Sequence, residues 1–133
     1  MPRYAYLDAS ALVKLAVHEP ESTALQHAVV QCDGLFSSVV GAVELTRALA
    51  RTGRPEVLEQ ADAVLDAVFL ADLTPMIRGQ AGRLQPPALR TLDAIHIATA
   101  ASLALSDLDF VTYDDRQVDA ARGRGLRVVQ PGR

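Results

Sequence analysis

The sequence is short of everything that would mark a secreted, membrane-spanning or overtly polyanion-binding chain. Cys32 is the only cysteine among 133 residues, so no internal disulfide can form, and a small buried thiol in a reducing compartment is expected. No uninterrupted apolar run approaches the ~18 residues that a membrane helix needs. The N-terminus has no basic stretch followed by an apolar one, because Asp8 interrupts it. A signal peptide is therefore not expected, and the chain reads as cytoplasmic with no membrane partner. Tryptophan is absent and aromatics make up 5%, which leaves Ala, Val, Leu and Ile to fill a core. A basic surplus is missing as well. The formal net charge is -3, so there is no general attraction to nucleic acid. Lys14 is the only lysine, and the other cations are arginines, which suit bidentate phosphate contacts better. Repeats, low-complexity tracts and linkers are also absent, and one domain over residues 1–133 is the expectation.

What is there is an alternation of short apolar runs and helical patterns. Tyr4-Ala5-Tyr6-Leu7 reads as a strand covered on both faces, ending in Asp8. Ser10 opens a helical stretch to about Val17, and Pro20 precedes a second helix over roughly Glu21 to Gln31. Leu35-Phe36-Ser37 suggests a strand, with Ser37 or Ser38 capping a long helix to Arg51 that Gly53 terminates. Pro55 restarts a helix whose apolar positions run Val57, Leu58, Ala61, Val64, Leu65 and Val68. Val68 to Ala71 is either its end or a third strand. A short helix from Met76 to Leu84 stops at Pro86-Pro87, and Thr91 is the candidate cap of a helix from Leu92 to about Leu105. Phe110 to Tyr113 reads as a buried strand ending in Asp114. A helix over Arg116 to Arg122 and a strand over Leu126 to Val129 follow. Such alternation predicts a central, mainly parallel twisted sheet with helices on both faces. Sites in such folds form outside the carboxyl ends of the strands.

That rule singles out Asp8 and Asp114, each ending an apolar strand. Glu44, between Val40 and Ala48 on one helix, and Asp93, in the apolar segment Leu92 to Ala98, are two further acids among apolar neighbours. An ionised carboxylate there is costly unless paired or metal-bound. Four such acids converging at one sheet edge would repel one another, at least one would carry a raised pKa, and Mg²⁺ or Mn²⁺ would relieve the repulsion. Taken singly, each has a plainer role. Asp93 can meet a helix dipole, Glu44 can pair with Arg47 or Arg51, and Asp8 or Asp114 can cap a helix. His96, one turn after Asp93, reads as packed beside the site or bonded to backbone rather than as a metal ligand. The series Arg47, Arg51, Arg54 reads as a solvated helix end, with an RNA-facing or partner-facing role as the alternative. A response-regulator receiver or a haloacid-dehalogenase-like phosphatase would want a second acid near Asp8, and none stands there.

Tyr6-Leu7-Asp8-Ala9-Ser10-Ala11-Leu12-Val13-Lys14 resembles the opening motif of PIN-domain nucleases. Ser37-Ser38 with Glu44-Leu45 resembles their second motif, Arg90-Thr91-Leu92-Asp93-Ala94-Ile95-His96 their third, and Val111-Thr112-Tyr113-Asp114 their fourth. The resemblance runs from about Tyr4 to Val129, in the order and spacing of a small VapC toxin. It implies a PIN-like three-layer α/β/α domain and a Mg²⁺ or Mn²⁺ site at Asp8, Glu44, Asp93 and Asp114, supported by Ser10 and Thr112. It further implies hydrolysis of RNA to 5′-phosphate and 3′-hydroxyl ends. Asp8 and Asp93 would hold the metal, and Glu44 and Asp114 would hold a second ion or position the water. A VapB-like antitoxin and a homodimer are the implied partners. Asp115, adjacent to Asp114, either contributes or caps the next helix. A PIN nuclease outside a toxin–antitoxin pair, or a non-catalytic binding module, is the alternative reading.

Overall fold

In the computed structural model, which describes Met1 to Arg133, five parallel strands form one sheet in the order β3-β2-β1-β4-β5. They are β1 (Tyr4–Leu7), β2 (Gly34–Ser38), β3 (Phe69–Ala71), β4 (Leu108–Val111) and β5 (Arg127–Val129). The helices are α1 (Ala9–Ala16), α2 (Ser22–Val30), α3 (Val39–Ala50), α4 (Pro55–Asp66), α5 (Pro75–Gly82), α6 (Thr91–Ser102) and α7 (Val118–Gly123). A 3₁₀ turn at Asp115–Gln117 precedes α7.

Alternation along the central strands builds two cores. Ala5, Leu7 and Val111 face Ala11, Leu12, Leu25, Leu45, Val57 and Ala61 from α1 to α4. Tyr6 and Phe110 point the other way, against Ile97, Ala100 and Ala121 of α6 and α7. Both faces of β1 are covered, which is why its sequence shows no polar alternation. The result is three layers, as expected. The ambiguous Val68 to Ala71 segment resolves into β3, which pairs Phe69 with Phe36 of β2.

Side-chain caps set several helix starts. Asp8 caps α1, as its plainer role allowed, accepting from the backbone N–H of Ala11 at 3.0 Å. Ser38 caps α3 through Val40 at 3.0 Å, while Ser37 donates instead to the Leu7 carbonyl at 2.6 Å. Thr91 is already helical. Arg90 holds the cap position of α6 and makes no capping bond. Asp93 stands in the first turn of α6, where a negative charge suits the helix dipole. β4 begins and ends two residues before the apolar pattern suggests, and Thr112 and Tyr113 lie beyond it.

The chain leaves β1 toward β2 on one side and reaches β4 on the other, so the sheet's order reverses between β1 and β4. That is the position where open α/β sheets place their clefts.

Candidate active site

The register of β1 on β4 sets the first half of the site. Leu7 lies opposite Val111, so Asp8 and Thr112 emerge side by side. Asp8 is 2% exposed and accepts four hydrogen bonds. Ser10 Oγ donates to its Oδ1 at 2.6 Å and the Ala11 N–H donates at 3.0 Å. Thr112 Oγ1 and Gln117 Nε2 each donate to its Oδ2 at 2.6 Å. Burial raises the Asp8 pKa above the ordinary value, and the opposing pull of His96, Ser10, Thr112 and Ala11 is the smaller effect. Burial, rather than repulsion among acids, is thus the leading cause of that shift.

Thr112 ties Asp8 to the next acid, because its Oγ1 also accepts from the Asp114 N–H at 3.1 Å. Ser10 Oγ plays the matching part by accepting from the Tyr113 N–H at 2.9 Å. Asp114 caps the 3₁₀ turn and is held by arginine. Arg116 donates to it at 3.0 and 3.1 Å, and Arg90 Nη2 donates at 2.6 Å. The Arg116 guanidinium leads the causes that hold its pKa below the ordinary carboxylate value. Arg90 also grips the buried Asp93, through Nε at 2.9 Å and Nη2 at 3.3 Å. Three acids from three separate stretches of chain therefore share one hydrogen-bonded network.

Glu44 approaches from α3. Its Oε1 lies 2.6 Å from His96 Nε2, and His96 Nδ1 lies 2.7 Å from the Tyr6 hydroxyl. The Glu44 carboxylate accepts from Nε2–H, and Nδ1 shares a hydrogen bond with the Tyr6 hydroxyl. His96 thus bonds to two side chains, not to backbone, and Glu44 pairs with it rather than with Arg47 or Arg51. Glu44 also lines an open cleft of about 540 Å³ with Ser10, Leu92, Arg47 and Arg51. Ser10 touches Asp8 and Leu92 adjoins Asp93, so the fourth acid faces the neighbourhood of the other three. A larger concavity of about 900 Å³ between α5 and α7 contains none of the four. Asp115 bonds to Gln130 and Arg133 instead.

Oxygen donors suit Mg²⁺ or Mn²⁺ in kind. As the side chains stand, no three His, Cys, Asp or Glu residues are gathered closely enough to ligate one ion. Internal donors claim the carboxylates instead. Gln117 Oε1, next to Asp8, is the one buried polar side-chain atom without a partner. The donor set fits a hard cation once some of these donors, Arg90 above all, give way.

Sequence reasoning missed Arg90, Arg116, Gln117 and the Tyr6 hydroxyl as neighbours of the acids. Spacing offered a hint for one of them, since Arg90 is three residues before Asp93.

Comparison with known proteins identifies the family. The PIN domain family model matches residues 5–123. Ribonuclease VapC47 of Mycobacterium tuberculosis is 40% identical over 131 residues, covering 96% of each chain. Ribonuclease VapC46 of the same species is 43% identical over 126 residues, covering 95% of this chain and 96% of the relative. Among solved structures, M. tuberculosis VapC20, a sarcin-ricin loop cleaving toxin, superposes with a TM-score of 0.74 at 16% identity. That match covers 96% of this chain and 99% of the other. VapBC2 of Rickettsia felis, bound to a DNA fragment from its promoter, gives 0.74 at 13% identity, covering 96% and 98%. At such identities the structures speak for the fold. The family match and the close relatives speak for descent, and the chain belongs to the PIN domain family.

Proposed function

We propose that this PIN-domain chain is a VapC-type toxin ribonuclease that hydrolyses RNA phosphodiester bonds at the four-carboxylate cleft with Mg²⁺ or Mn²⁺. The observation that carries the reading is the network at the reversal point of the sheet, where Thr112 ties Asp8 to Asp114 and Arg90 ties Asp114 to Asp93. Relatives named as ribonucleases, aligned over nearly the whole chain, support it. A VapB-like antitoxin as partner is part of the proposal, supported by the VapBC complexes among the similar folds. A homodimer belongs to the same proposal, since Val43 and Phe69 remain exposed at 59% and 63%. No helix is long and apolar enough to cross a membrane.

In this mechanism Asp8 and Asp93 would hold the ion, and Glu44 and Asp114 would hold a second ion or position the attacking water. A bound ion supplies Lewis-acid polarisation of the phosphate and acidifies the water. Ser10, Thr112 and Gln117 lock the Asp8 rotamer by donating to it. His96 fixes one oxygen of Glu44 and leaves the other to orient the water. Attack forms a bond from the water oxygen to phosphorus and breaks the bond to the 3′ oxygen, which takes a proton. The products carry 5′-phosphate and 3′-hydroxyl ends.

The test is cleavage of RNA by purified protein. EDTA stops it, and Mn²⁺ or Mg²⁺ restores it. Asp8→Asn and Asp93→Asn each reduce it about a hundredfold or more, at least matching the upper end of what loss of a residue supporting a ligand costs. Full activity in a folded Asp93→Asn variant would remove the proposed site.

A further inference from the structure

Arg90 is the only side chain that touches the carboxylates of two of the four acids. Its guanidinium engages both oxygens of Asp93 and Oδ2 of Asp114. The two acids are nearly buried, with side chains 7% and 18% exposed, whereas that of Arg90 is 53% exposed. Buried carboxylates need a cation, and here exposed arginines supply it, Arg90 for both acids and Arg116 for Asp114 as well. The Arg90 backbone is extended just before α6, so its side chain reaches the acids from outside the helix and can rotate away without unwinding it.

A guanidinium and a divalent cation held at the same two carboxylates repel each other, so binding of one weakens the hold of the other. We propose that Arg90 competes with the divalent ion for Asp93 and Asp114, and that ion loading releases the guanidinium to bind a phosphate of the substrate. The proposal rests on the carboxylate-site reading above and adds a residue to it. Once an ion takes the oxygens, Arg90 loses its partners at the rim of the site. A phosphodiester offers two non-bridging oxygens that the planar arginine fork can meet with two parallel N–H groups. Ion and substrate then favour each other's binding, because each stabilises the arrangement in which Arg90 has left the acids.

The sign of the effect separates this role from a structural one. Mn²⁺ binding is measured by calorimetry without RNA, on wild type, Arg90→Ala and Arg90→Lys, with melting curves in EDTA as the check on folding. Arg90→Ala is expected to bind Mn²⁺ about fivefold tighter, the size that a half-exposed charged contact carries. Arg90→Lys, a point charge without the fork, is expected to fall between the two and keeps the site filled should the alanine variant fold poorly. At saturating Mn²⁺, Arg90→Ala raises KM for RNA about tenfold while kcat changes less, and Arg90→Lys recovers part of that loss. Unchanged or weaker Mn²⁺ binding by folded variants overturns the competition. Tighter Mn²⁺ binding with unchanged KM overturns the release to substrate. Absence of Mn²⁺ binding by wild type overturns the metal site itself, and this proposal with it.

Discussion

Asp8 and Asp114 follow adjacent strands, yet their surroundings push them in opposite directions. Asp8 is buried and its folded-state pKa is raised, so its charged form is disfavoured by the fold. Its ionisation therefore costs stability once the pH climbs above the ordinary carboxylate value, and the cost vanishes at lower pH. Asp114 is the reverse. Its pKa is lowered by Arg116, so it stabilises the fold above the ordinary value, and the stabilisation is lost as the pH falls through the folded value. Asp8→Asn at pH 7 in EDTA is expected to melt at or above wild type. The Asn amide would face Gln117, whose side chain can flip and offer its unpartnered Oε1. Asp114→Asn loses an arginine pair and weakens a cap, which costs about 1 kcal/mol and lowers the midpoint by about 3–5 °C. Thermal melts at pH 7 and at pH 4.5 check both, and the gap between Asp8→Asn and wild type should narrow at the lower pH. If Asp8→Asn melts as low as Asp114→Asn at pH 7, Asp8 is simply a structural cap.

At the scale of elements, the site depends on how closely α3 approaches β2 and α6. Gly41 permits that approach. A Cβ built there would stand 2.6 Å from Ser37 Oγ and 3.0 Å from His96 Cε1. Ser37 is itself fixed by its bond to the Leu7 carbonyl, so it cannot yield cheaply. One turn of α3 further on, Glu44 reaches His96 at 2.6 Å. Alanine would ordinarily favour a helix over glycine by about 1 kcal/mol. Here Gly41→Ala is expected to lower the melting temperature and cut RNA cleavage at least tenfold, because pushing α3 outward pulls Glu44 off its partner and loosens a positioned group. A stabilised and fully active Gly41→Ala would show that the Glu44–His96 contact is dispensable.

For the molecule as a whole, the net charge of -3 conceals an uneven distribution. At the amino end of the sheet, Arg3 and Arg127 pair with Asp107 and Asp109. Arg54 pairs with Glu56. Arg47 and Arg51 line the cleft beside Glu44 and form no ion pair, which favours an RNA-facing role over a merely solvated helix end. Removing each by Ala should lower RNA affinity and reduce the slope of log K against log salt by about 0.7–1. Binding of a single-stranded RNA measured across a salt series decides it. An unchanged slope in both variants would move the RNA path away from this cleft.

The sequence by itself determined the layer order, the buried identity of β1 and β4, and the placing of Asp8 directly after a strand, whereas Asp114 stands three residues beyond the end of β4 rather than at it. Those features follow from local periodicity and from the rule that parallel sheets are covered on both faces. The four ordered motifs also pointed to the family, because their spacing records the distance between successive strands and helices along the chain. Contacts across the fold were not legible in this way. Nothing local says that Arg90 bridges to Asp114, 24 residues on, or that His96 joins Tyr6 to Glu44. Long-range polar partners are set by strand register and helix approach, which exist only once the sheet has formed. The acids could therefore be read from the chain, whereas tertiary structure decided which cations and donors hold them.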